Sequence, residues 1–186
     1  MFLLAKLPLL LALGCVAVFA AEEMTLYELL PPDTHQFAIT YDVTAAREGS
    51  PFFLNPIRKG AVATKERVIE RSTGAALQFE TVSGDDGMDY LKVHLPGPVP
   101  KGGETRIRIF KTYTDAKSYY LKDGLLVFDR PFGIRRDVVV LPAGWELTGS
   151  ASPAIVSTQE DGRMRISYLN DRDDQLPVKI TARRLP

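Results

Sequence analysis

The amino-acid sequence predicts an all-β protein with an immunoglobulin-like antiparallel β-sandwich fold. Apolar and polar residues alternate along runs such as 36–43 and 163–168, which is typical of strands with one buried face. Three Asp-Gly dipeptides, at 86–87, 123–124 and 161–162, separate such runs, and Asp-Gly suits tight hairpins because both central residues of a type I′ turn need positive φ. No long amphipathic helical pattern interrupts them, so about 11 to 13 short strands are expected.

Residues 1–21 are predicted to be a signal peptide. Lys6 gives the start of the chain a positive charge, and the apolar run 7–19 that follows is shorter than the roughly 20 residues of a membrane-spanning helix. Small residues favour cleavage after Ala20 or Ala21. We therefore expect a periplasmic or secreted protein without a transmembrane anchor after processing.

The cysteine at position 15 leaves an alternative open, in which Cys15 is lipidated and anchors the protein as a lipoprotein. Against this alternative, the sequence stays apolar through 16–19, where a lipoprotein normally turns polar. Cys15 is the only cysteine of the chain. Cleavage after residue 20 or 21 would leave a mature protein without disulfides, a thiol nucleophile or a thiolate metal site.

The charge balance argues against nucleic-acid binding. The chain has 23 basic and 23 acidic residues, and loss of the signal peptide removes one basic residue, Lys6. The mature chain then carries a net charge of about −1. Nucleic-acid binders need a positive excess because contacts to phosphates dominate their affinity, so that class of partner is set aside.

Three hairpins are predicted around the Asp-Gly dipeptides, and helical signals are sparse. Residues 25–30 have room for one helical turn before a Pro-Pro pair. Residues 64–71 have charges at helical spacing but also contain Val68 and Ile69, which favour a strand. The hairpins pair 76–83 with 88–95, 118–122 with 125–130, and 155–159 with 163–169.

The domain organisation is predicted from a stretch rich in proline and glycine, 96–103. We interpret it as a long connection between two neighbouring antiparallel strands, 91–95 and 106–113. A softer break near residue 116 divides the mature chain into two stacked sandwich units, 22–116 and 117–186. A single larger sandwich is the alternative.

Parts of the chain resemble known β-domains. Tyr27 to Val43 resembles the opening strand of accessory β-domains in large exported proteins, and 95–113, with its Gly-Gly pair before a long alternating strand, resembles the N-terminal β-domain of the M1 metallopeptidases. Catalysis in that family requires a His-Glu-x-x-His helix, which this sequence lacks, so the resemblance implies a non-catalytic accessory fold. Residues 138–145 and 178–184 resemble exported bacterial β-sandwich proteins, a likeness that implies no particular activity.

Catalytic signals are weak. His35 and His94 are the two histidines, and no Gly-x-Ser-x-Gly motif accompanies them, so we predict no catalytic residue, no metal site and no cofactor. Carboxylates that could pair across space in a glycoside hydrolase are expected to be outward strand residues instead. They are Glu80, Asp89, Asp129 and Glu146.

The loop 170–174 contains three carboxylates, Asp171, Asp173 and Asp174, and calcium prefers oxygen ligands. Arg172 lies among them, and the spacing lacks the order of an EF-hand loop. A solvated turn between the last two strands is therefore expected, and calcium binding stays open.

Aromatic and arginine side chains are the best candidates for binding, because such residues are enriched at binding hot spots. We predict a non-enzymatic exported binding module of the cell envelope that contacts a protein partner through a sheet edge or an aromatic and arginine patch. The alternative is a carbohydrate-binding protein with weak glycoside hydrolase activity. Trp145 could instead be a buried residue of the core, and the arginines could belong to a solvated loop. The candidate residues are Tyr119, Tyr120, Arg130, Arg135, Arg136 and Trp145.

Overall fold

The computed structural model describes residues 23–186, and this part of the chain consists of strands joined by short loops. The predicted signal peptide and the alternative lipidation of Cys15 lie outside the described residues. One 3₁₀ turn, Pro32–Thr34, follows the first strand. The strands are β1 Met24–Leu29, β2 Gln36–Ala45, β3 Phe52–Ile57, β4 Val62–Glu70, β5 Phe79–Ser83, β6 Asp89–His94, β7 Thr105–Thr114, β8 Tyr119–Lys122, β9 Leu125–Asp129, β10 Arg136–Val140, β11 Trp145–Ser150, β12 Ile155–Thr158, β13 Met164–Leu169 and β14 Lys179–Arg184.

The strands form three sheets. A seven-stranded sheet has the order β12-β13-β10-β1-β2-β7-β4, a four-stranded sheet the order β11-β14-β9-β8, and a three-stranded sheet the order β3-β6-β5. All neighbours are antiparallel except β1 and β10, which run parallel. The predicted all-β sandwich class is confirmed. No helix within residues 23–186 is long and apolar enough to span a membrane.

Both small sheets pack on the same face of the seven-stranded sheet, which we call the inner face. The four-stranded sheet and the first part of the inner face enclose an aromatic core in which Phe37 of β2 contacts Phe128 of β9, with ring centroids 5.4 Å apart. The three-stranded sheet covers the second part, where Val43 of β2 and Ile107 of β7 meet Val93 of β6 in an aliphatic core. Inward residues follow the period of two along each strand, since successive side chains point to opposite faces.

The seven-stranded sheet takes strands from both sides of residue 116. Its strands β1, β2, β4 and β7 come from the first predicted unit, and β10, β12 and β13 come from the second. The parallel pairing of β1 with β10 joins the two sets. The division into units 22–116 and 117–186 stays a prediction.

The three predicted hairpins are confirmed as β5 with β6, β8 with β9, and β12 with β13. The turn between β8 and β9 shows why the Asp-Gly signal works. Asp123 has a φ of 52° and Gly124 a φ of 79°, the positive values that a type I′ turn requires at both central residues.

The two segments with weak helical signals are strands, and one predicted strand pairing was wrong. Residues 25–30, which had room for a helical turn, belong to β1, and the single helical turn comes after them. Residues 64–71 lie mostly in β4, as Val68 and Ile69 indicated, and a bulge between Thr64 and Arg67 shifts the register of this strand. The strand β6 does not pair with β7, because β3 and β5 occupy both edges of β6 while β2 and β4 occupy both edges of β7. The connection 96–103 therefore crosses between sheets.

Candidate binding surfaces

A groove of about 550 Å³ surrounds Trp145. The indole is the first residue of β11, and Gly144 before it has a φ of 77°, which lets the chain turn sharply into the strand. The half-buried ring packs against the aromatic core with one side and lines the groove with the other. Leu121 of β8 and Arg184 of β14 complete the nearby wall.

The charges of this Trp145 groove are partly compensated within the protein. Arg163 lines the groove and donates to Asp161 Oδ2 at 2.6 Å and to Glu28 Oε1 at 3.1 Å. The hydrogen bond to Asp161 raises the pKa of Arg163, so the group stays cationic. Asp33 adds a carboxylate to the opposite wall. The groove therefore offers one aromatic face, two guanidinium groups and a carboxylate to a polar ligand.

The predicted tyrosines do not join Trp145. Tyr119 points inward and has no exposed surface, its hydroxyl donates to the carbonyl of Leu30 at 2.5 Å, and burial raises its pKa. Tyr120 points to the opposite face of the four-stranded sheet and is half-buried, near Lys179. The ring of Tyr119 is a core residue, so of the two tyrosines Tyr120 alone presents surface to a ligand.

The three predicted arginines lie in different surroundings. Arg130 extends into a cleft inside the sandwich, where its guanidinium lies 5.5 Å from the ring of Tyr113. Arg135 is exposed, and its carbonyl accepts a hydrogen bond from Asn170 N at 2.8 Å. Arg136 is exposed and borders an apolar groove. Arg130 and Arg136 therefore border two different cavities.

That apolar groove, of about 570 Å³, lies beside β12. Ile155 of β12 is 76% exposed and Leu169 of β13 is 58% exposed, and both line the groove together with Val138 and Met24. The strand β12 forms one edge of the seven-stranded sheet, and all four of its residues are exposed. An exposed edge strand beside an apolar groove is a template for pairing with another chain.

Sequence reasoning found the β12–β13 hairpin but missed this surface. Hairpins are encoded by local turn residues, whereas the position of a hairpin in a sheet depends on which distant strands pair. One sequence signal was available: Ile155 and Val156 are adjacent apolar residues, so one of them must face outward from the sheet.

The remaining polar candidates have local partners. His35 Nδ1 lies 2.9 Å from the carbonyl of Tyr119, and His94 Nε2 lies 3.3 Å from Glu80. Among the four carboxylates considered for glycoside hydrolysis, Glu80 pairs with Lys92, Asp129 with Lys179 and Glu146 with Arg183, while Asp89 accepts a hydrogen bond from Ser83.

The acidic loop after β13 is also tied to a cation, since Arg172 donates to Asp174 at 2.6 Å. That bond lowers the pKa of Asp174. Within residues 23–186, no group of three or more histidine, cysteine, aspartate or glutamate side chains is arranged so that it could hold a metal ion.

No protein-family model matches the sequence, and no curated protein matches it. Solved structures share the fold. The crystal structure of the M1 zinc metallopeptidase from Deinococcus radiodurans gives a TM-score of 0.56 at 13% identity, covering 86% of this chain and 40% of that chain. An aminopeptidase N family protein from Idiomarina loihiensis gives a TM-score of 0.52 at 11% identity, over 87% of this chain and 29% of that chain.

The region that matches is the N-terminal β-domain of the M1 metallopeptidases. The resemblance predicted from residues 95–113 is thereby confirmed as a likeness of fold, and it covers most of the chain instead of its first half alone. Identities of 13% and 11% show a common fold and carry no function by themselves. This chain spans 40% of the length of the Deinococcus protein.

Proposed function

We propose that this protein is an exported, non-enzymatic binding module of the cell envelope, and that it holds a protein partner by strand addition at β12. The exposed edge of β12 carries this proposal, because all four of its residues are exposed and an apolar groove lies beside it. A partner strand would gain main-chain hydrogen bonds from the edge and side-chain burial from the groove.

The hydrogen-bonding direction of β12 fits strand addition. Gln159 N donates to the carbonyl of Arg163 at the end of the β12–β13 hairpin. In an antiparallel pair, residues alternate between hydrogen-bonded and non-hydrogen-bonded positions, so Ser157 forms the next hydrogen-bonded pair with β13. Val156 and Thr158 fall between such pairs. Their N–H and C=O groups therefore point away from β13, toward a partner strand.

The groove sets the chemistry of the partner. Apolar walls contributed by Ile155, Val138 and Leu169 suit one or two large apolar side chains of an extended segment. Arg165 borders the groove and places a positive charge at its rim. The expected partner segment is therefore extended and apolar, with an acidic residue next to its anchor.

The likeness to the M1 metallopeptidases supports a binding role without assigning peptidase activity. Their N-terminal β-domain is the part that this chain resembles, and the His-Glu-x-x-His motif needed for zinc peptidase chemistry is not in the sequence. A module with this fold is suited to contacting another domain or chain. Periplasmic or secreted localisation is part of the proposal and rests on the predicted signal peptide.

The test uses the chain from residue 22, tagged at its C-terminus and crosslinked in its native envelope fraction, with captured proteins identified by mass spectrometry. The partner is then purified, and its affinity is measured for the wild type and two variants. Val156→Pro removes one outward N–H, and we expect an affinity loss of at least about tenfold. Val156→Thr keeps the N–H and the branched side chain, so its affinity should stay close to that of the wild type.

Equal affinities of the proline and threonine variants would rule out strand addition at β12. Circular dichroism of both variants must match that of the wild type, which excludes unfolding as the cause of any loss. Release of the processed protein into the periplasm or medium tests the proposed localisation, and retention of the uncleaved chain in the cytoplasm would contradict it.

A glycan ligand at the Trp145 groove is the second candidate function, and the half-buried indole in a groove of about 550 Å³ favours it. Trp145 is the only tryptophan, so the intrinsic fluorescence reports on this groove alone. A saturable emission shift with a glycan would support the candidate. Emission unchanged across a glycan panel would remove it.

A further inference from the structure

The inner face of the seven-stranded sheet is apolar under both small sheets but polar in the seam between them. The cores meet at Tyr41 of β2, which packs against both. A cleft of about 250 Å³ opens beside it. The segment 130–134 after β9 and residues Asn55 and Pro56 of β3 close the cleft from the other side. Two cations and a carboxylate, Lys111, Arg130 and Asp137, line it.

The two cations share one aromatic ring. Nζ of Lys111 lies 4.9 Å from the centroid of Tyr113, and the guanidinium carbon of Arg130 lies 5.5 Å from it. Lys111 is 7% exposed, and its neutral hydrogen-bond partner is Asn55, at 2.5 Å. Two like charges held this close in a poorly hydrated site repel each other, so a bound anion would stabilise both.

Two polar atoms in the cleft lack hydrogen-bond partners within residues 23–186. Nη1 of Arg130 is buried without a hydrogen-bond acceptor, and it forms a long ion pair with Asp115 Oδ2 at 3.7 Å. Asp137 is 2% exposed, and its Oδ1 is also buried without a hydrogen-bond partner. Buried polar atoms are rarely left unpaired, since each costs free energy comparable to a lost hydrogen bond. Both atoms are therefore open to a hydrogen bond from a bound molecule.

We propose that this seam cleft binds a small carboxylate compound. The planar fork of Arg130 and the ammonium of Lys111 would contact the carboxylate oxygens, and Asp137 in its acid form would donate a hydrogen bond to the same group. A volume of about 250 Å³ equals roughly eight waters of about 30 Å³ each, which limits the ligand to a small molecule.

The walls favour a carboxylate over phosphate. Tyr27, Ile39 and Tyr113 supply aromatic and aliphatic surface around the charges. A compound with a carboxylate and a short carbon chain buries apolar surface against such walls, whereas phosphate is all polar and strongly hydrated.

The protonation states of the cleft support this assignment. Burial raises the pKa of Asp137 from its ordinary 3.8 to about 8, with a hydrogen bond from Thr25 and the charge of Arg130 opposing the shift. Burial lowers the pKa of Lys111 from 10.5 to about 8, reinforced by Arg130 and opposed by Glu66. Below about pH 8 the cleft therefore carries an acid donor and two cations.

Burial also shifts the pKa values of other groups near the cleft. Burial raises the pKa of Tyr27 to about 12 and also raises those of Tyr41 and Tyr113. Glu23, which faces Tyr41, has a pKa that burial raises. Above about pH 8, ionised Asp137 and neutral Lys111 both weaken anion binding, so affinity should fall there.

The experiment is a calorimetric titration of the folded chain from residue 22 with sodium acetate, succinate and phosphate as separate probes. We expect saturable binding of succinate or acetate at pH 7 and much weaker binding at pH 9.5. Lys111→Met and Arg130→Gln should each reduce the affinity at least about tenfold. The exposed pair Lys122→Met and Arg172→Gln are matched controls that should bind like the wild type.

Circular dichroism separates lost binding from lost structure, and the two site variants provide independent tests if one does not fold. Binding of phosphate without either carboxylate would overturn the assigned ligand class. No binding of any probe by the folded wild type would overturn the site itself. Neither result bears on strand addition at β12, which concerns a different surface.

Discussion

Two inward positions of the strand β7 show how differently one sheet face is used. Ile109 and Lys111 are two residues apart, and both point to the inner face. Ile109 lies in the aliphatic core under the three-stranded sheet. Lys111 lies in the polar seam between the two small sheets, where its partner is Asn55 of β3. A single strand thus contributes to packing at one position and to a charged cleft at the next.

The same change occurs on the neighbouring strands. On β1, Leu29 belongs to the aromatic core and Thr25 to the cleft, and on β10 Val139 belongs to the core and Asp137 to the cleft. The polar positions coincide with the gap between the two covering sheets. Two of the buried charged residues, Lys111 and Asp137, therefore lie together in one seam, which is an arrangement expected of a binding site.

The largest contrast is expected in the aromatic core. Phe128→Ala removes a fully buried ring that contacts Tyr27, Phe37, Tyr119 and Phe132. We expect the free energy of unfolding to fall by about 4 kcal/mol, because the change combines lost transfer energy with a cavity. Chemical denaturation followed by circular dichroism measures it.

The matched control is Phe79→Ala, a ring that is 37% exposed on an edge of the three-stranded sheet. It should lower the free energy of unfolding by less than about 1.5 kcal/mol. Equal losses for the two variants would show that the ring of Phe128 is not buried as described.

In the seam, removal of a buried side chain should raise the free energy of unfolding. Lys111→Met removes a buried charge and keeps an apolar stem of similar size, so we expect a gain in the free energy of unfolding of about 1 to 2 kcal/mol at pH 7. In the wild type, folded Lys111 loses its proton near pH 8 and the unfolded residue near 10.5, so stability should rise between those values. The variant should lack this rise.

Denaturation curves at pH 7, 8.5 and 10 measure this effect, with Lys122→Met as an exposed control that should shift stability by less than about 0.5 kcal/mol. A loss of stability in Lys111→Met at pH 7 would contradict the conclusion that the buried charge of Lys111 destabilises the fold.

A substitution on the outer face of the seven-stranded sheet should change the free energy of unfolding by a smaller amount. Arg108 donates to both carboxylate oxygens of buried Asp42, at 2.5 and 2.7 Å, and Arg71 lies 3.4 Å from the same carboxylate. Arg108→Gln should lower the free energy of unfolding by about 1 kcal/mol, because Arg71 continues to compensate the charge. Thermal denaturation at low and high salt measures it. A loss as large as that of Phe128→Ala would show that Arg71 does not compensate Asp42.

Strands and hairpins were predictable because their signals are local. Period-two alternation located β2, and the Asp-Gly pair at 123–124 located the β8–β9 turn. The order of strands was not predictable, because β6 and β7 look like hairpin partners in sequence, whereas β7 pairs with β2 and β4, which are distant in sequence. The charges of 64–71 are likewise spaced as in a helix, although this segment lies mostly in the bulged strand β4.

The seam was missed for a related reason, although one signal was present. Lys111 interrupts an otherwise apolar register of Ile107, Ile109 and Tyr113 on β7. A lysine among inward residues marks a site that is polar or uncovered. Arg130 was named as a binding candidate, but its partners Lys111 and Asp137 come from distant strands that only the sheet order brings together.

The most direct measurement of the polar seam is the titration of Asp137, followed by the ¹³C shift of its carboxyl carbon and assigned with Asp137→Asn. The structure predicts a midpoint near pH 8 for Asp137. The free energy of unfolding of the wild type should then fall from pH 4 to pH 8, and Asp137→Asn should remove this fall. The sign follows because the folded state retains a proton that the unfolded chain has released. A midpoint near 4, with the same pH dependence of stability in wild type and variant, would show that Asp137 is solvated and that the seam is not a buried site.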